Sequence, residues 1–148
     1  MKEKSTNIAY CGIYCSECSF KVAYETQNIE HLFSMPEKYE KFKKTALEDC
    51  KCLGCKQENI CGDCEIKDCA ISKNLEHCGE CLDFPCKLVT NFANDGMPHH
   101  KSAFENLEYI RNNGMKEFLN KMNEYIYCDC GAKLSWYLTK CLNCGKVR

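Results

Sequence analysis

Cysteine constrains what this chain can fold into more than any other residue. Sixteen of its 148 residues are cysteine, set in close pairs and triplets. Thiols in that number are held in disulfides or on metal ions, and the compartment decides which. The opening residues MKEKSTN contain no apolar run of the kind a secretory signal needs, and no stretch approaches the length of a membrane span. The expectation is a cytoplasmic chain without a membrane partner, whose clustered cysteines are thiolate ligands. Hydrophobic residues reach 45% only because cysteine is counted among them, so the core is thin and metal must staple the loops.

The clearest cluster is Cys128-Asp129-Cys130-Gly131 followed by Cys141-Leu142-Asn143-Cys144-Gly145. Two short pairs ten residues apart can set four sulfurs tetrahedrally around one ion across a β-hairpin, the arrangement of a zinc ribbon. A glycine follows each pair, where a tight turn favours positive φ. Trp136 is expected to pack over this hairpin.

Nine more thiols lie within residues 50–86. Among them Cys61-Gly62-Asp63-Cys64 with Cys69, and Cys78-Gly79-Glu80-Cys81 with Cys86, repeat the pattern C-G-[DE]-C-x4-C at an offset of 17 residues. The repeat reads as a duplicated metal-binding loop. Upstream, Cys50, Cys52 and Cys55 add three ligands. No ligand stands five residues beyond either third cysteine, so a retroviral-type knuckle does not fit. At the other end, Cys11, Cys15 and Cys18 have the C-x3-C-x2-C spacing of three corners of an iron–sulfur cube. A radical enzyme would also need a large α/β barrel, for which the chain is too short. A three-cysteine corner completed by a distant thiol is the favoured reading.

The four histidines are His31, His77, His99 and His100, and His77 directly precedes Cys78. Each is read as packed or solvated rather than as a ligand, with His99 and His100 in a loop. Tyr10, Tyr14, Tyr125, Tyr127, Trp136 and Tyr137 lie beside the cysteine motifs and suit the cover of a small metal core. No pairing of Asp and Glu suggests acid–base catalysis.

Helical patterns run between the clusters. One is expected near Phe20 to Phe33. Ser34-Met35-Pro36-Glu37 reads as a capping box opening a helix to about Glu48, with Tyr39, Phe42, Ala46 and Leu47 on one face. Ser102-Ala103-Phe104-Glu105 reads as another, with Phe104, Leu107 and Ile110 inward and a stop at Gly114. A last helix carries Phe118, Leu119, Met122 and Ile126 inward.

Several of these motifs together resemble a known family. They are Cys11-Gly12-Ile13-Tyr14-Cys15-Ser16-Glu17-Cys18, the Cys52/Cys55 pair, Cys61 to Cys69 with Ala70, and Asn74-Leu75-Glu76-His77 leading into Cys78 to Cys86. They resemble the prokaryotic cysteine-rich domain of unknown function 3795 over about residues 7 to 90, with eleven aligned cysteines. The resemblance implies zinc binding and supplies no substrate. Cys50 lies outside the family's pattern, and residues 99 to 145 look like a C-terminal extension.

The resulting expectation is a small metal-stapled α+β protein: a helical, loop-rich body with cysteine-rich metal loops and a C-terminal zinc-ribbon β-hairpin. Residues 1–98 would form the cysteine-rich domain, 99–127 a helical hairpin and 128–148 the ribbon. Its candidate ligands are Cys11, Cys15, Cys18, Cys52, Cys55, Cys61, Cys64, Cys69, Cys78, Cys81, Cys86, Cys128, Cys130, Cys141 and Cys144, holding several zinc ions. Formal charge is −1 with thiols neutral. Four tetrathiolate zinc sites would bring it to about −9, against a nucleic-acid partner, whose binding rests on neutralising phosphates. The functional expectation is a zinc-binding interaction module for a protein or small molecule, with mainly structural metal sites. The alternatives are an iron–sulfur redox or enzymatic protein using Cys11, Cys15 and Cys18, and a metal sensor or store.

Overall fold

A computed structural model describes residues 7–57 and 62–148. In chain order the helices are α1 (Ser19–Thr26), α2 (Glu30–Phe33), α3 (Glu40–Lys43), α4 (Glu65–Ser72), α5 (Lys87–Ala93), α6 (Pro98–Asn113) and α7 (Met115–Tyr125), with 3-10 turns at Cys15–Glu17, Glu37–Tyr39, Leu47–Cys50 and Cys78–Glu80. Strand pairing among the described residues is limited to isolated antiparallel bridges, Ile8 with Tyr14, Tyr127 with Lys133 and Lys140 with Val147. The body is therefore helical with few strands, and the expected C-terminal β-hairpin does not form as a ladder. Gly131 and Gly145 turn the chain back at positive φ so soon that each loop closes on a single bridge.

Local chemistry also redraws the expected helices. Gln27 enters the left-handed region after α1 and ends it, so residues 20–33 are two helices rather than one. Ser34 does not cap a following helix, because its hydroxyl donates back to the His31 carbonyl at 2.7 Å. The chain beyond Pro36 is then a 3-10 turn, the single turn α3 and another 3-10 turn. Ser102 lies inside α6, its hydroxyl bonded to the Pro98 carbonyl at 3.3 Å, and the helix starts at Pro98, whose missing N–H costs nothing there. The expected stop holds, since Gly114 at φ 90° ends α6. Phe118, Met122 and Ile126 are buried as their spacing implies.

The described chain forms two compact units, each built from two segments: Met1–Cys15 with Gly54–Lys121, and Ser16–Leu53 with Met122–Arg148. In the first, α4, α5 and α6 enclose Ile66, Ala70, Cys78, Val89 and Leu107. The turn at Gly12 presses against α6, where a Cβ would collide with the Ala103 carbonyl and the Leu107 side chain. Asn106 ties the same turn down through the Gly12 carbonyl at 3.0 Å.

The second unit buries Val22, Leu32, Tyr39, Ile126 and Leu134. Each large apolar side chain of this kind contributes about 1.5–3 kcal/mol on burial. Its two segments are joined by polar contacts as well: the Trp136 N–H donates to the Glu17 carbonyl at 2.9 Å, and Lys133 meets Glu25 at 3.4 Å. His31 is fully enclosed, with Nδ1 2.8 Å from the Ser135 hydroxyl, which is buried too.

Ser135→Ala would leave that imidazole nitrogen without its partner and should lower stability by roughly 1–3 kcal/mol, measured as a drop in the thermal midpoint of the full chain. Burial also holds His31 below the ordinary imidazole value of 6.5, so the fold keeps it neutral. Below about pH 6.5 the unfolded chain gains a proton that the folded one resists, and stability falls with the pH. His31→Gln should flatten this slope between about pH 6.5 and 5, and equal slopes in the two proteins would contradict the assignment.

Candidate metal centre

The two C-terminal cysteine pairs sit in loops of similar construction. In the first, the Cys128 N–H donates to the Ala132 carbonyl at 2.9 Å and the Gly131 N–H returns to the Cys128 carbonyl at 2.8 Å. In the second, the Cys141 N–H donates to the Lys146 carbonyl at 2.8 Å and the Gly145 N–H to the Cys141 carbonyl at 3.0 Å. Leu134, Leu138 and Cys141 form the apolar floor, with Cys128 and Ala132 packed against it. Lys146 pairs with Asp129 and so links the two loops. Trp136 is half-buried beside Tyr137 and is not part of this floor.

These loops bring four sulfurs together. Cys128 Sγ lies 3.5 Å from Cys144 Sγ, and Cys130 Sγ 3.6 Å from Cys141 Sγ. All four are within 4.8 Å of one another. A tetrahedral ion with metal–sulfur bonds near 2.3 Å sets its sulfurs about 3.8 Å apart, so the set fits a single ion. Among the described residues no other group of three or more Cys, His, Asp or Glu side chains converges in this way.

Hydrogen bonds prepare part of the set as thiolates. The Asn143 side-chain amide donates to Cys130 Sγ at 3.5 Å, and with the Ala132 N–H it pulls the Cys130 thiol down to about 6. The N–H groups of Cys144 and Asn143 hold Cys141 below the ordinary thiol value. Cys128 is drawn down by the Cys130 N–H, but burial and the neighbouring thiols outweigh that and leave it at about 11. Asn143, one residue before Cys144, thus serves two of the sulfurs. Nothing in the spacing singles Asn143 out, because an Asn between two cysteines also suits a plain turn.

The remaining predicted ligands fall differently. Cys11, Cys15, Cys55, Cys64, Cys69, Cys78, Cys81 and Cys86 belong to the first unit, and Cys18 and Cys52 to the second. Burial pushes the Cys11 thiol far up, and Cys55, Cys64 and Cys15 add to the effect. Cys61 lies outside the described residues. Cys50 is a core thiol, bonded to the Ala46 carbonyl at 3.4 Å. The repeat is not a pair of equivalent loops: Cys64 and Cys69 bracket the first turns of α4, whereas Cys81 to Cys86 is irregular chain.

None of the histidines joins the C-terminal set. His77 is buried with Nε2 3.9 Å from Glu80. His99 and His100 stand in the first turn of α6 rather than in a loop. His100 stacks on Phe92 at 3.8 Å and meets Asp95 at 2.6 Å.

The family described as protein of unknown function DUF3795 matches residues 7–91. The chain belongs to that family. Nothing matches in the comparisons with curated proteins and with solved structures. The DUF3795 region carries the N-terminal and central cysteines, while the converged set lies beyond it, at residues 128–144. No described helix is long and apolar enough to cross a membrane.

In metal-free, reduced protein at pH 7, Cys130 should be the first of the four C-terminal thiols to react with an alkylating reagent. It is exposed and already ionised. Asn143→Ala should slow that reaction, as peptide mass mapping of a timed series would show. Unchanged Cys130 reactivity would remove the amide from the account.

Proposed function

We propose that this protein is a cytoplasmic zinc-binding protein whose metal centres are structural and hold together an interaction module for a protein or small-molecule partner. The observation that carries the reading is the closed set of four sulfurs at Cys128, Cys130, Cys141 and Cys144. Four protein ligands around one ion leave no open position for water or substrate, which is the mark of a structural zinc and not of a catalytic one. With all four sulfurs within 4.8 Å of one another, the spacing favours a single ion over a multi-iron cluster. A pair of knuckle-like loops meeting at one ion is the ribbon arrangement, here without a strand ladder. The other predicted cysteine ligands extend the same role into the DUF3795 region, and the acidic balance that metal loading creates disfavours a nucleic-acid partner.

Protein purified anaerobically should be colourless and hold about three to four zinc ions, since the fifteen candidate thiols fill three sites at four per ion and leave three for a fourth. Replacing Cys128, Cys130, Cys141 and Cys144 together by serine should remove one of them. A brown preparation containing iron and labile sulfide would overturn the reading.

A further inference from the structure

The first unit contains a second gathering of thiols, built differently from the C-terminal one. On α4, Ile66, Cys69 and Ala70 stand at i, i+3 and i+4 and so share a face, and Lys73 follows as the C-cap. Beyond α4 the chain reverses, with Asn74 at positive φ and the Leu75 N–H on the Ala70 carbonyl at 2.9 Å. The 3-10 turn Cys78–Glu80 is pinned by the Cys78 N–H on the Tyr10 carbonyl at 2.8 Å. Cys86 then immediately precedes α5.

These segments enclose a cavity of about 20 Å³ lined by Cys69, Cys78, Cys81 and Cys86. Its remaining wall is apolar except for Lys73. That volume holds one guest about the size of a water molecule, yet a water needs two to four good polar partners and thiols are poor ones. The charges nearby suit an anionic thiolate site. Lys73 Nζ lies 3.5 Å from Cys81 Sγ and 2.9 Å from Asp83, and the Arg111 guanidinium donates to the carbonyls of Gly79 at 2.8 Å and Cys81 at 3.1 Å. Both cations act on the loop that carries Cys81.

We propose that Cys69, Cys78, Cys81 and Cys86 share one thiophilic ion of the zinc class, forming a metal centre of the first unit that is independent of the C-terminal one. The third cysteine of the first repeat thereby completes the three of the second, and the two repeats are not separate sites. Four thiolates on a divalent ion leave a net charge of −2, which Lys73 and Arg111 offset from outside the ligand set. The four sulfurs do not converge as those of the C-terminal set do, so the ion would have to draw them together.

The test uses the full chain with Cys128, Cys130, Cys141 and Cys144 replaced by serine, loaded with Co²⁺, so that failure of the C-terminal reading leaves this one standing or falling by itself. Cys69→Ser should lose one equivalent of Co²⁺. Adding Cys86→Ser should lose no more, because both serve the same ion. Cys69→His should keep the ion and shift the visible bands, as one sulfur gives way to nitrogen. In wild-type zinc-loaded protein, timed alkylation read by native mass spectrometry should label the four thiols as a group, with release of a single zinc. This second measurement needs no variant to fold. Labelling of Cys69 that is independent of Cys78, Cys81 and Cys86, or labelling of all four with no metal released, would show free thiols without a shared ion and overturn the proposal.

Discussion

Four thiols held within 4.8 Å of one another are poor neighbours in the absence of a cation. Once one ionises, the next must do so against its charge. Without a cation the set is uneven: the Asn143 amide draws Cys130 down to about 6, while burial and hydrogen bonds from the neighbouring thiols leave Cys128 at about 11. A divalent ion removes the unevenness by deprotonating all four. The two C-terminal loops are shaped for that event: short turns at Gly131 and Gly145, one bridge apiece, and an amide from Asn143 aimed at sulfur.

The magnitudes favour metal as the main staple of this region. Its apolar floor is Leu134, Leu138 and Cys141, with little else beneath the loops. A structural zinc contributes about 10–16 kcal/mol on binding, comparable with the whole stability of an ordinary domain at about 5–15 kcal/mol. The rest of the second unit can rely on helix α1 and on buried residues such as Val22, Leu32 and Ile126. A metal bound at these thiols would therefore matter most where secondary structure is sparsest.

Much of the candidate site was legible in the sequence, because close cysteine pairs followed by glycine carry their geometry locally. The spacing of Phe118, Met122 and Ile126 announced a buried face, and Gly114 announced a stop. Short-range competition was harder to read. Ser34 and Ser102 each had the letters of a helix cap, but both hydroxyls bond backwards to carbonyls three and four residues earlier. The joining of residues 16–53 with 122–148 left no trace in periodicity, since it rests on contacts such as His31 with Ser135 across about a hundred residues. The repeat hides a related difference: the same cysteine spacing falls on a helix in one copy and on irregular chain in the other.

The central claim is that coordination, more than packing, orders the C-terminal loops. Amide hydrogen exchange of the reduced full chain, before and after removal of metal by a chelator, tests it most directly. The account predicts that protection of the Cys128, Gly131, Cys141 and Gly145 amides collapses on chelation and returns when zinc is restored, while the buried turns of α6 keep theirs. Equal protection of the loop amides with and without metal would contradict it.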